Sequence, residues 1–181
     1  MKKLLITTVI ALVAIFVVAP RFVRWTAKNA KAPGAVAALR LAILQRTLID
    51  SNTVADSNDV VAVVMDWNMG PRVTATLAAF ADGKTSLYVT PGTVLTSQNR
   101  ENVREAVERF RAAVADRADQ FGTTADFDPP ANGKVRFYRI TRTGTYATYP
   151  NMIDVLKNDR QPLHALLDAG QLVAAEVQRP N

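Results

Sequence analysis

Residues 60–90, VVAVVMDWNMGPRVTATLAAFADGKTSLYVT, decide the fold of this chain. Val60–Met65 is a short apolar run rich in β-branched residues, which is typical of a strand buried on both faces. Val73–Phe80 alternates apolar and polar residues. Thr85–Thr90 follows it after Asp82-Gly83, a dipeptide typical of a type I′ hairpin turn. The stretch therefore predicts three consecutive strands, of which the last two form a hairpin.

The chain on either side supplies helices and a second hairpin. Apolar residues recur every three or four positions in Asn99–Phe121 and after Pro162, so both segments are predicted to be amphipathic helices. Lys134–Thr141 and Thr145–Tyr149 predict another pair of strands. Hairpins joined by helices indicate an α+β fold, and we expect a largely antiparallel five-stranded sheet packed with helices.

A further helix is predicted ahead of the first strand. Ala35–Ile49 is rich in helix-forming residues, and four apolar side chains share one of its faces at spacings of four, three and four. These are Ala37, Leu41, Leu44 and Leu48, and Leu39 and Ile43 widen the same face. We expect this face to pack on the sheet.

The composition limits the chemistry. The chain has 181 residues, 49% of them apolar, with no cysteine and one histidine. This length and apolar content can bury the core of one domain. The lack of cysteine excludes disulfides and thiolate metal sites, and a single histidine excludes a site built from two imidazoles. We expect no metal and no cofactor.

The net charge of +6 is concentrated at the N-terminus. Residues 1–50 hold eight basic side chains and one acidic side chain, whereas the remaining residues hold fourteen and fifteen. Affinity for a phosphate backbone scales with the number of basic contacts on one surface. Because the body of the chain is almost neutral, we expect no nucleic-acid partner.

The N-terminal segment has the composition of a membrane anchor. Residues 4–20, LLITTVIALVAIFVVAP, carry no charge and approach the length that crosses a bilayer. Residues suited to a lipid interface flank them: Lys2, Lys3, Arg21, Arg24, Trp25, Lys28 and Lys31. We expect one transmembrane helix over residues 1–27, a linker over 28–34 and an α+β domain over 35–181. A cleaved signal peptide and a helix buried in a soluble protein are the alternatives.

The distribution of basic residues around the anchor favours one orientation. More positive charge follows the apolar segment than precedes it. Since positive charge is retained on the cytoplasmic side, we expect the domain on the cytoplasmic face of an inner membrane.

Three short motifs carry a family resemblance. Met65-Asp66, Asp82–Tyr88 (DGKTSLY) and Ala169-Gly170 resemble the pattern of a family of small bacterial proteins with no known activity. The similarity covers about residues 60–179, and the N-terminal anchor is an addition to that family's body. The resemblance implies the same α+β fold and supplies no chemistry.

Few side chains are candidates for catalysis. Asp66 ends a buried strand, where loss of solvent would perturb a carboxylate, although it could instead hydrogen-bond the turn over residues 68–71. Ser86 would need a base to act as a nucleophile, and His164 is the one imidazole. A small-ligand cleft would be lined by Asp66, Ser86 and Tyr138.

These observations favour a non-catalytic accessory or structural subunit of a larger membrane complex, for example a respiratory or photosynthetic one. Its expected partners are the lipid bilayer and integral membrane subunits of that complex. The alternative is a membrane-tethered small-ligand sensor or enzyme domain with its cleft near Asp66, Ser86 and Tyr138.

Overall fold

A computed structural model describes residues 33–46, 59–70, 73–89, 92–97, 100–148, 155 and 161–179. The α-helices whose bounds it describes are α1 (Pro33–Leu44), α2 (Glu101–Ala115) and α3 (His164–Gln178). A 3-10 helix spans Ala118–Gln120. The strands are β1 (Ala62–Gly70), β2 (Val73–Phe80), β3 (Thr85–Val89), β4 (Thr93–Ser97), β5 (Gly122–Thr123), β6 (Val135–Ile140) and β7 (Thr145–Thr148).

The described strands form one antiparallel sheet of seven, in the order β4-β3-β2-β1-β6-β7-β5. The fold is α+β, but the prediction of five strands is wrong. The two additional strands follow or contain glycines, since β4 comes directly after Gly92 and β5 begins at Gly122. Pairing with β3 and β7 keeps both segments in the sheet, because strand formation depends more on neighbouring strands than on local propensity.

The first strand is longer than its sequence suggests. β1 continues to Gly70, past the predicted end at Met65. Asp66 lies opposite Thr76 of β2, so the polar residues after Met65 remain in the ladder. Gly70 N donates a hydrogen bond to Asn68 Oδ1 at 3.0 Å, so Asn68 rather than Asp66 binds the backbone at the end of β1.

The predicted hairpin is present as β2 and β3, but its turn is not type I′. Gly83 N donates to Phe80 O, and Phe80 N donates to Lys84 O, both at 2.9 Å. Gly83 alone among the central residues has a positive φ, of 80°. This is a type I turn followed by a glycine bulge, the usual form of a three-residue hairpin loop.

Alternate residues of each strand point to opposite faces of the sheet. Helices α2 and α3 cover one face, named here the α2–α3 face. Its core includes Val63, Met65, Leu77, Leu87, Val107, Phe110, Phe137, Leu166 and Val173. Helix α1 lies on the other face, named here the α1 face. Its core includes Val36, Ile43, Leu44, Ala62, Val64, Ala78, Tyr88, Tyr138 and Ile140.

The lengths and compositions of the described helices correct the prediction of a transmembrane helix. No helix in the described ranges is both long and apolar enough to cross a membrane. The longest, α2 and α3, have 15 residues, about 22 Å of helix against about 30 Å of hydrocarbon. The predictions of a single-pass membrane protein and of an inner-membrane location are therefore corrected by the described residues. The expected anchor (residues 1–27) and its interface residues lie outside the described residues, namely Lys2, Lys3, Arg21, Arg24, Trp25, Lys28 and Lys31.

Candidate functional site

A fully buried carboxylate lies in the middle of the α1 face. Asp66 sits on the central strand β1 and is 0% exposed. The strand register places it between Thr76 of β2 and Arg136 of β6. An ionised carboxylate in such a position is destabilising unless charged or hydrogen-bonding groups compensate it. Its partners therefore decide what the site can do.

Both oxygens of Asp66 are engaged by side chains of the same chain. Arg40 of α1 donates to Oδ2 through Nε at 2.9 Å and through Nη2 at 2.5 Å. Thr76 donates its hydroxyl to Oδ1 at 2.5 Å. Both donors of Arg40 converge on this single oxygen, and Thr76 binds the other one. The carboxylate is thus held in one orientation.

Arg40 is the only charged residue of α1, and it points inward. It is 8% exposed and also donates to the backbone oxygen of Phe127 at 2.6 Å. Burial by itself lowers the pKa of Arg40, but the charge and hydrogen bonds of Asp66, with those of Tyr138, leave this pKa raised. The guanidinium therefore stays charged and fastens α1 to β1.

Tyr138 completes the arrangement from strand β6. Its hydroxyl accepts a hydrogen bond from Arg40 Nη2 at 3.1 Å, and the residue is 0% exposed. Burial, and then the charge of Asp66, raise the pKa of Tyr138 far above its usual value. The phenol therefore stays neutral and cannot serve as a base near neutral pH.

A second buried arginine, Arg136, binds the loop of residues 126–128 beside the network. Arg136 is 2% exposed and donates to the backbone oxygens of Asp126 and Asp128, both at 2.6 Å. Its guanidinium lies 5.0 Å from the ring centroid of Tyr138. The N–H of Asp128, followed by the charge of Arg136, lowers the pKa of Asp126. The two arginines thus bind consecutive carbonyls of one loop, residues 126–128.

Only part of this network was predicted from the sequence. Asp66 and Tyr138 were both candidates, and Arg40 joins them. Ser86 points to the same face, but it pairs with Ala78 on β2 and takes part in none of the hydrogen bonds described above. Composition and periodicity did not identify Arg40, Thr76 or Arg136.

The structure separates the predicted nucleophile from the one imidazole. His164 begins α3, which packs on the α2–α3 face, whereas Ser86 points to the α1 face. His164 Nδ1 lies 3.0 Å from Asp168 Oδ2, one helical turn later.

The described residues contain no group of three or more potential metal-ligating side chains.

The geometry defines an α+β protein in which a buried ion pair fastens a helix to a sheet. No protein-family model matches the chain, and no curated protein matches it. The resemblance to a bacterial family through Met65-Asp66 and Asp82–Tyr88 therefore stays a prediction.

Proposed function

We propose that this chain is a non-catalytic accessory subunit of a larger protein assembly. It contributes a folded surface to other subunits, and none of its side chains reacts with a substrate. The observation that supports the proposal most directly is the engagement of Asp66. Both of its oxygens accept hydrogen bonds within the chain, and the residue has no exposed surface.

A catalytic carboxylate needs an oxygen that can reach the atom it protonates, deprotonates or attacks. Asp66 offers no such oxygen, and Tyr138 presents its hydroxyl to Arg40. The bonds of Arg40 instead join segments that are far apart in sequence. Arg40 and Asp66 are 26 positions apart, and Arg40 and Tyr138 are 98 apart. This pattern supports a structural role, the attachment of α1 and of the 126–128 loop to the sheet.

The experiment compares two variants in the native host after deletion of the gene. Asp66→Asn removes the buried negative charge that compensates Arg40, and Tyr138→Phe removes one hydroxyl while keeping the ring. If the protein is an accessory subunit, the amount of intact assembly should follow the folded fraction of each variant. Tyr138→Phe should then support assembly almost as well as the wild type, and growth at a lower temperature should partly rescue Asp66→Asn.

Two results would contradict this function. One is a Tyr138→Phe protein that is as stable as the wild type but abolishes the cellular function, because a purely structural hydroxyl cannot produce that separation. The other is a tagged wild-type chain that sediments from a gentle extract with no other protein bound. A stability measurement on each purified variant provides the reference for the folded fraction.

A further inference from the structure

The two edges of the sheet differ in length and in protection. At one end β5 has two residues, Gly122–Thr123, which offer few backbone groups to an incoming strand. At the other end β4 has five residues, TVLTS, all paired in register with β3 on the inner side. Within the part of the chain that the structure describes, no strand pairs with the outer side of β4.

Strand β4 lacks the sequence features that usually protect an edge. Natural edge strands are kept from pairing by charged side chains, proline, bulges or extreme shortness. β4 contains no charged residue and no proline, and its pairing with β3 is regular over all five positions. Thr96 is exposed at this edge. The edge is therefore chemically suited to accept another strand.

We propose that β4 pairs with β4 of a second copy of this chain, antiparallel about a two-fold axis at Leu95. In this register Leu95 faces its own copy, Val94 faces Thr96, and Thr93 faces Ser97. Every pair then joins uncharged side chains, and threonine, serine and β-branched residues form favourable cross-strand pairs. The contact is self-complementary, as a two-fold interface requires.

The composition of the edge favours a second copy over a chemically different partner. A charged strand would select a partner of opposite charge, whereas TVLTS has no charge to complement. Main-chain hydrogen bonds provide most of the affinity when a strand is added to an edge. The two-fold register satisfies the outer donors and acceptors of both copies at the same time. This dimer is independent of the accessory function proposed above.

The test uses the full chain and a matched pair of exposed threonines on the two edges. Thr96→Lys places a charge on β4, and Thr123→Lys places the same charge on β5. Analytical ultracentrifugation should find the wild type and Thr123→Lys as dimers. Thr96→Lys should dissociate at least about tenfold more readily, the effect of roughly 1.4 kcal/mol. Circular dichroism should show that each variant is folded.

The proposed register can be tested directly with a second variant. Because Val94 faces Thr96 of the other copy, the double variant Val94→Glu/Thr96→Lys should restore the dimer, and added salt should weaken it. A wild-type chain that is monomeric at all concentrations would overturn the proposal. So would a Thr96→Lys protein that dimerises as well as Thr123→Lys, since association would then involve another surface.

Discussion

The two faces of the sheet are held in different ways. On the α2–α3 face, apolar side chains such as Val63, Met65 and Phe137 pack against two amphipathic helices. On the α1 face, a short helix is held by apolar contacts and by the buried pair of Arg40 and Asp66. Apolar packing tolerates change as long as volume is kept, whereas a buried charge depends on one particular partner. The faces should therefore respond differently to substitution.

The largest effect is expected at Asp66. Asp66→Asn keeps the size of the side chain but leaves the Arg40 guanidinium buried without a counter-charge. The free energy of unfolding should fall by about 3–5 kcal/mol. Denaturant unfolding of the purified chain measures this loss. A decrease below about 1 kcal/mol would show that the ion pair does not hold α1.

The matched control removes both charges together. Replacing Arg40 with Met and Asp66 with Val should recover a large part of the stability lost in Asp66→Asn. Well-packed apolar residues often replace a buried ion pair at little cost. If the double variant is instead less stable than Asp66→Asn, the two charges do not act as a pair.

An intermediate effect is expected at Gly170, on the α2–α3 face. A Cβ atom at Gly170 would lie 2.7 Å from Met65 Sδ and Cε and 3.3 Å from Phe110 Cζ. Gly170→Leu should therefore lower the free energy of unfolding by about 1–3 kcal/mol through overpacking. Combining it with Met65→Ala should recover part of this loss, because the added side chain then occupies the emptied volume. Simple additivity of the two changes, in a double-mutant cycle, would contradict the predicted contact.

A smaller effect is expected at Tyr138. Tyr138→Phe removes the oxygen that accepts from Arg40 Nη2, while Asp66 continues to compensate the guanidinium. The expected decrease in unfolding free energy is about 0.5–1.5 kcal/mol, as for one typical intramolecular hydrogen bond, because the guanidinium keeps its counter-charge. Thermal unfolding monitored by circular dichroism can resolve it. A loss as large as that of Asp66→Asn would mean that the hydroxyl is essential to the network.

The smallest effect is expected at Asp126, which is largely exposed. The pKa of Asp126 is lowered in the folded chain. The carboxylate therefore contributes stability above its ordinary pKa of about 3.9, and this contribution is lost as pH falls through the lower folded value. Asp126→Asn should be slightly less stable than the wild type at pH 7, and the difference should vanish in acid. Parallel denaturation curves at both pH values test the sign.

The apolar face was predictable because its pattern is periodic. The spacing of Val103, Val107, Phe110 and Val114 identifies α2, and these residues are buried in the structure. The predicted hairpins are present as β2–β3 and β6–β7. Strand count was less predictable, since β4 and β5 depend on neighbours that only the folded sheet provides.

The face of α1 was predicted correctly only in part, because Leu44 is buried as expected whereas other residues of the predicted face are not. Ala37 and Leu41 were expected to face the sheet, but both are exposed, and Leu41 is 39% accessible. The buried stripe contains Val36, Arg40 and Ile43, with the only charge of the helix in its centre. Apolar periodicity assigns arginine to solvent. The predicted buried face was therefore displaced around the helix by about one residue. The counter-charge that reverses this choice, Asp66, lies on another element.

The position of β1 in the sheet has a consequence for the order in which the chain can fold during synthesis. β1 pairs on one side with β2, which follows it directly, and on the other with β6, which begins at Val135. Until β6 has left the ribosome, one side of the central strand β1 lacks its native partner. Arg40 also lacks the hydrogen bond to the Tyr138 hydroxyl. Contacts so distant in sequence slow folding. The nascent chain is therefore most exposed to mispairing between the release of β2 and the release of β6.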